Sequence, residues 1–314
     1  MEQFFSLLDQ VIIFLIILII GFASVKAKFL SADALPVLSR FFSRIIVPFI
    51  LFVNTVGGAT RDDIANHFYM IFVNICIFAV LITITRLLPK LLRLKGNKAD
   101  IFILANTFGN VGFVGIPLLL AVFGQRSMIF VTLYAIVDQF IFWTYGVLLS
   151  YPVDNKPKFN IKTLLNMINP PVIAIILAII IIMLDVKIPE IIIRSCTTMS
   201  NTGAALPFIY IGGTVATMNF KKLVKNYEFF VGILIKMVIL PICLYMILRA
   251  IGLDSEISTS MAVLFGLPAL ALTPMLASAN GSDEEYATAA VIISTVVSLF
   301  TLTLVSFVTS FIFK

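Results

Sequence analysis

Residues 106–124 read NTFGNVGFVGIPLLLAVFG, and this stretch decides how the chain must fold. It is about as long as a helix that crosses the hydrocarbon core of a bilayer, for which about 20 apolar residues are needed. Yet it contains Gly109, Gly112 and Gly115, followed by Pro117. A glycine inside a helix costs about 1 kcal/mol and an interior proline about 3 kcal/mol. We therefore predict that this helix opens near its middle.

A second apolar stretch carries the same kind of break. Residues 265–274 read FGLPALALTP, with one glycine and two prolines in a short run. Breaks at corresponding positions of two halves are the best sequence indication of a substrate site in a carrier. The alternative is that small residues and prolines only allow close packing or kinks between membrane helices.

The residues around both breaks could bind an anion. A half-helix that begins after a break presents free N–H groups and a positive dipole end, which attract a carboxylate. Side-chain amides can add both donors and acceptors. We therefore expect substrate contacts from Asn106, Asn110, Gly112, Gly115, Pro117, Pro268, Thr273 and Pro274.

The composition of the whole chain is that of a membrane protein. Hydrophobic residues make up 61% of it, charged residues 12%, and the mean hydropathy is +1.11. Soluble domains carry about 25% charged residues. The length of 314 residues suffices for about ten spans. We predict spans at 8–27, 35–57, 68–89, 101–124, 127–150, 165–184, 190–216, 226–251, 257–280 and 286–312, all helical because a span must satisfy its own backbone hydrogen bonds.

Basic residues are distributed unevenly over the predicted loops. Fifteen of the 22 lysines and arginines fall in alternate loops, and these loops are predicted to be cytoplasmic by the positive-inside rule. Both chain termini are then outside. The N-terminus has no basic residue before its first apolar run, so we expect a first span rather than a cleaved signal.

The chain is predicted to consist of two similar halves. The longest polar stretch, 151–163, separates a five-helix repeat at 1–150 from another at 164–314. An odd number of spans in each half gives the halves opposite orientations, as in inverted-repeat carriers. Pro48-Phe49-Ile50 recurs as Pro207-Phe208-Ile209, and Gly124 recurs as Gly281 at nearly the same separation. The predicted fold is thus an all-α membrane protein of ten transmembrane helices in two inverted five-helix repeats, with broken crossing helices 4 and 9.

Two charged residues fall inside predicted spans, Asp138 in the fifth and Lys236 in the eighth. Charges at that depth are costly and usually paired or functional. One hypothesis is a structural ion pair between them, and the other is that Asp138 carries a proton during transport. Asn54 and Asn201 also lie at membrane depth, where they could face a substrate or only hydrogen-bond neighbouring helices.

Enzyme signatures are absent from the sequence. It has no phosphate-binding loop ending in Lys-Ser/Thr, no His-Glu-x-x-His and no Gly-x-Ser-x-Gly. We expect no enzymatic activity, no cofactor, no metal and no nucleic-acid partner. Transport would then be driven by gradients.

Residues 106–124 resemble the fourth-span signature of the auxin efflux carrier family, which includes plant auxin exporters and bacterial permeases for malate and related dicarboxylates. Further resemblance lies at 47–52, at 205–207 with Gly212-Gly213, at Lys236 with Pro241, and at 267–274. The resemblance implies a scaffold of spans 1, 2, 6 and 7, and a bundle of spans 3–5 and 8–10 that moves as an elevator. It places the substrate carboxylate near the crossing of spans 4 and 9, with Asn110, Pro117, Pro268 and Pro274 as binding elements.

The function that we expect is therefore gradient-driven transport of small organic anions in the plasma or bacterial inner membrane, with a dicarboxylate such as malate as the best candidate. Ala269 and the short central loop favour the prokaryotic permease type over auxin transport. An auxin-like monocarboxylate exporter, a sodium-coupled anion symporter and a non-transporting membrane sensor are the alternatives. A small carboxylate, the lipid bilayer and a second copy of the chain are the expected partners.

Overall fold

The computed structural model describes residues 2–116, 118–119, 128–156, 169–219 and 225–311, and these residues are almost entirely helical. The helices are named here in chain order: α1 Glu2–Lys26, α2 Ala32–Gly58, α3 Arg61–Asn66, α4 Phe68–Leu91, α5 Gly96–Thr107, α6 Ile129–Leu149, α7 Pro170–Met183, α8 Glu190–Thr202, α9 Leu206–Thr217, α10 Glu228–Ala250, α11 Ser255–Phe265, α12 Thr273–Asn280 and α13 Glu284–Phe311.

Five of these helices are long and apolar enough to cross a membrane, namely α2, α4, α6, α10 and α13. They coincide with the spans predicted at 35–57, 68–89, 127–150, 226–251 and 286–312. Two shorter apolar helices are Ile12–Lys26 and Pro170–Met183. Large apolar side chains such as Ile19, Phe72 and Phe300 are exposed on the outside of several helices. A surface of this kind suits lipid rather than water, so the protein is a multi-pass membrane protein.

The helices can be described as two groups, which also contact each other where α2 meets α6 and α12 and where α13 meets α1 and α9. In the first, α1 lies against α9, and α2 lies against α7 and α8. Gly21 and Gly212 allow the first of these contacts, because a Cβ atom on either would overlap the backbone of the facing helix. Such small residues are the usual means of close helix packing in membranes.

The second group consists of α4–α6 and α10–α13, and it contains both breaks. Among the described residues, few side-chain hydrogen bonds join it to the first group. Three of them end on backbone carbonyls: Ser39 in α2 donates to Met275, Thr132 in α6 donates to Gly58, and Asn169 before α7 donates to Trp143. The hydroxyls of Tyr210 and Thr214 in α9 donate to the carboxylate of Glu284.

Wide π-helical turns precede two of the prolines within the long helices. The turn Phe42–Ile46 precedes Pro48, and the turn Ile235–Ile239 precedes Pro241. Proline has no N–H group, and its ring clashes with the carbonyl four residues earlier. A wider turn relieves that clash without ending the helix, which is how π-bulges arise inside α-helices.

Two helix ends follow local rules. Gly281 ends α12 in the left-handed conformation with a φ of 77°, as expected for a glycine that ends a helix. Thr60 and Asp63 form a capping box at the start of α3, with Thr60 Oγ1 2.7 Å from Asp63 Oδ2. This hydrogen bond holds the pKa of Asp63 below its usual value. The cap therefore stabilises the turn that leads from α2 to α4.

Candidate functional site

Two non-helical segments cross each other inside the second group of helices. Helix α5 ends at Thr107 and α11 ends at Phe265. Just beyond, Gly109 and Ala269 form an isolated antiparallel bridge. Asn110 N–H donates to the carbonyl of Pro268 at 2.9 Å, and Leu270 N–H donates to the carbonyl of Phe108 at 3.2 Å. The two breaks in the sequence thus satisfy each other's backbone groups, as chain outside a helix must when it is buried.

The glycines and prolines explain why both chains open here. A Cβ atom on Gly109 would lie 3.0 Å from Leu267 Cβ, and one on Gly266 would lie 3.0 Å from the ring of Pro241. Larger side chains would hold the two segments apart. Pro268 has no N–H group to continue α11, whereas Pro274 lies in the first turn of α12, where proline is tolerated.

Helical structure resumes after the bridge on both chains. Residues Val111–Gly115 form a wide turn in which Val114 and Gly115 both donate to the carbonyl of Asn110. On the other chain, α12 begins at Thr273. Both starts place the positive end of a helix dipole near the crossing, although the N–H groups of Val111 and Thr273 themselves donate to the carbonyls of Gly109 and Leu270.

Two polar side chains at the crossing have no hydrogen-bond partner in the part of the chain that the structure describes. The side chain of Asn110 is completely buried, and neither its Oδ1 nor its Nδ2 accepts or donates a hydrogen bond. The hydroxyl of Thr273 is also buried and unpartnered. A buried polar group without a partner costs about 1–3 kcal/mol. This cost is removed when the group hydrogen-bonds to a polar ligand or to a water molecule.

Lys236 reaches the same crossing from the wide turn of α10. Its side chain is buried, and its Nζ donates to the carbonyl of Leu267 at 2.7 Å. The carbonyl of Phe108 lies 3.5 Å from Nζ, at the outer limit of a hydrogen bond. The ammonium therefore contacts one carbonyl from each of the two crossing segments.

Asp138 in α6 supplies the nearby negative charge. It is completely buried, its Oδ2 accepts from Gln139 Nε2 at 2.6 Å, and its Oδ1 has no partner. Asp138 and Lys236 attract each other electrostatically. They do not form a direct ion pair in the described part of the chain. Lys236 instead binds the backbone of the crossing.

A small cleft borders the crossing between α5, α10 and α13. It is lined by Ala105, Asn106, Phe229, Ile233, Lys236, Met237, Ala269, Ala290 and Ser294, and it has little more room than one water molecule needs. Ser294 Oγ accepts from Ala269 N–H at 3.1 Å. The amide of Asn106 faces Gly232, where a Cβ atom would lie 2.6 Å from Asn106 Oδ1. The absence of a side chain at Gly232 therefore gives this amide its space.

Comparison with known proteins identifies the family. The sequence profile of the membrane transport protein family matches the chain twice, over residues 6–163 and 155–306. The chain belongs to the membrane transport protein family. This confirms the resemblance seen in the sequence. An uncharacterized transporter of Methanocaldococcus jannaschii is 23% identical over 308 residues, which cover 95% of this chain and 97% of the relative.

In this member of the membrane transport protein family, the crossing collects most of the residues predicted from the sequence. Asn110, Pro268, Thr273 and Pro274 are buried in or next to it, and Asn106 lines the adjacent cleft. Gly115 is also buried, and a Cβ atom there would lie 2.8 Å from Leu267 Cδ1.

The remaining predicted residues are placed differently. Gly112 is exposed, and a Cβ atom added there would have open space around it for at least 4 Å. Asn54 and Asn201 are exposed on α2 and α8, and neither lines the cleft. Pro117 lies outside the described residues.

Sequence reasoning missed Ser294 and the backbone carbonyls of Phe108 and Leu267. Ser294 is one of many small hydroxyl residues along α13, so nothing in the sequence distinguishes it. Every residue has a carbonyl, so the two that bind Lys236 leave no signal at all.

Proposed function

We propose that this protein is a secondary carrier of small organic anions, with a dicarboxylate such as malate as the substrate, and that it binds the substrate carboxylate at the helix crossing. The observation that carries the proposal is Asn110, whose buried amide is unpartnered where the two breaks meet. Membership of a transporter family supports transport itself.

The chemistry of the crossing favours an anion. The amide Nδ2 of Asn110 and the hydroxyl of Thr273 are donors without a partner, and the helical starts at Val111 and Thr273 add the positive ends of two helix dipoles. Hydrogen bonds to a charged acceptor are stronger than those between neutral groups. A carboxylate would thus satisfy donors that the protein itself leaves unpaired.

The wider architecture extends this proposal. The ten predicted spans form two inverted repeats with both termini outside, and the breaks interrupt spans 4 and 9. The double match of the family profile supports the two halves. The second group of helices, with the crossing inside it, then moves as an elevator against the first.

Transport by purified protein in liposomes tests the proposal. Radiolabelled malate is offered alone and against unlabelled mono- and dicarboxylates and amino acids. The variants are Asn110→Ala and the matched control Asn54→Ala, which removes an exposed amide elsewhere.

The expected result is saturable malate flux in the wild type and in Asn54→Ala, with KM raised about 10- to 100-fold in Asn110→Ala. This range corresponds to the loss of one hydrogen bond to a charged group. If the flux is equal in Asn110→Ala and the wild type, the substrate does not bind at the crossing. The absence of carboxylate flux from folded wild-type protein would refute the substrate class.

A further inference from the structure

The crossing has a cation-binding side as well as an anion-binding side. Phe108 and Leu267 follow closely after the ends of α5 and α11. Carbonyls at a helix C-terminus carry the negative end of the dipole. In carriers with broken helices, such carbonyls coordinate the coupling cation while the helix N-termini face the substrate.

In this protein that position is already filled by a side chain. Lys236 Nζ lies 2.7 Å from the carbonyl oxygen of Leu267 and 3.5 Å from that of Phe108. An ammonium is a compact point charge with three donors, so it can replace a monovalent cation among oxygen ligands. Asp138 is a completely buried acidic residue that interacts electrostatically with Lys236.

We propose that Lys236 is a built-in cation of this carrier, so that its ammonium takes the place of a bound Na⁺ at the crossing and transport needs no coupling Na⁺. The proposal rests on the proposed function only in taking the crossing as the transport site. It assigns Lys236 a positioning role, in which it holds the two crossing segments together while Asn110 contacts the substrate.

The wide turn of α10 makes this arrangement specific to residue 236. Pro241 causes the turn Ile235–Ile239 and also packs on Gly266, the last residue before the second crossing segment. The same proline therefore sets both the position of the lysine and the position of the carbonyl that it binds. The ammonium is oriented by the backbone and does not need a substrate to hold it in place.

Thermal unfolding of purified protein in detergent tests the cation role without any transport. NaCl replaces choline chloride at constant ionic strength. The variants are Lys236→Ala, which opens the position, Lys236→Met, which fills it without charge, and the control Lys90→Ala, which removes an exposed lysine at the end of α4.

The expected result is that Na⁺ raises the Tm of Lys236→Ala by about 3 °C or more, and leaves the Tm of the wild type, Lys236→Met and Lys90→Ala unchanged. The same response to Na⁺ in Lys236→Ala and the wild type would overturn the proposal. The proposal would also be overturned if Lys236→Ala could not be purified in NaCl although Lys236→Met could be purified. Lys236→Ala leaves the position open, so Na⁺ should replace the ammonium best in that variant.

Malate flux in liposomes adds a second readout. Wild-type flux should be equal in Na⁺ and in choline, and flux in Lys236→Ala should require Na⁺. A wild-type flux that requires Na⁺ would overturn the built-in cation. If no variant transports any carboxylate, the proposed function fails, but the Tm response to Na⁺ still decides the role of Lys236.

Discussion

The loss of Lys98 should destabilise the protein much more than the loss of Glu228, although the two residues form one ion pair. Lys98 Nζ lies 2.5 Å from Glu228 Oε1, and the pair joins the start of α5 to the start of α10. The side chain of Glu228 is 3% exposed, whereas that of Lys98 is 36% exposed. Removal of the lysine leaves a buried carboxylate without its counter-charge, whereas removal of the acid leaves an ammonium that can reach water.

The magnitudes follow from this asymmetry. The loss of one partner of a fully buried pair costs about 3–5 kcal/mol. Lys98 is partly solvated, so the pair is partly screened. We expect Lys98→Met to lower the free energy of unfolding by about 2–3 kcal/mol, and Glu228→Gln by about 1 kcal/mol. The double variant should be more stable than Lys98→Met alone, because no buried charge then remains.

Unfolding in mixed micelles with increasing dodecyl sulfate can measure these differences. The chain has a single tryptophan, Trp143, which is buried in α6 and therefore reports unfolding by its fluorescence. Lys98 also lies 5.2 Å from the ring centre of Tyr286, but this contact is lost in both variants that lack the lysine. Equal losses in the two single variants, or a double variant that is less stable than Lys98→Met, would refute the reasoning.

Three further outcomes are expected. Thr60→Ala should lower the free energy of unfolding by about 1 kcal/mol at neutral pH. The loss should become smaller below about pH 4, because the stabilisation from the lowered pKa of Asp63 is complete above its unfolded pKa and disappears as the pH falls through its folded pKa. Melting curves recorded at several pH values test this, and a loss of stability that is the same at every pH would contradict it. Gly212→Leu should abolish a monodisperse peak in size-exclusion chromatography, since its side chain would overlap the backbone of α1, whereas Gly57→Leu has open space and should behave as wild type. Asp138→Asn should retain the pH dependence of wild-type flux in liposomes, and a flat pH profile would instead show that this carboxyl carries a proton.

The positions of the breaks could be predicted from the sequence because glycine and proline act locally. Gly109, Gly266 and Pro268 end two helices for reasons of backbone chemistry that do not depend on the rest of the fold. Gly109 and Ala269, which form the bridge, lie within the two stretches in which these residues occur. That the breaks interrupt transmembrane spans 4 and 9 stays a prediction. Asn110 could be predicted for the same reason, since it is adjacent to a break.

The exposed positions of Asn54 and Asn201 could not be predicted in this way. A helix that is apolar on all sides, such as α2, carries no periodic signal of which face is buried. The more polar α8 has no buried residue. The rotation of α2 and α8 is set by their packing against other helices. An isolated polar residue at membrane depth therefore indicates neither the substrate path nor the lipid face.

The contacts of Lys236 were beyond sequence reasoning for another reason. Its charge and depth predicted a partner, and Asp138 was the obvious acid. The closest contacts are instead backbone carbonyls, which only the bridge between Gly109 and Ala269 brings within reach.

The wide turn Ile235–Ile239 also fixes the phase of α10. A π-helical turn holds one residue more than an α-helical turn, and each residue of an α-helix rotates the side-chain direction by about 100°. The parts of α10 on either side of the turn are therefore offset by one residue relative to an uninterrupted α-helix. Deletion of one residue within the turn would restore a regular helix and keep the two parts of α10 in their present relative direction, whereas conversion of the turn to an α-helical turn without a deletion would rotate one part against the other by about 100°. The lipid-facing side of α10 and the side that carries the ammonium are thus brought into register by a single extra residue.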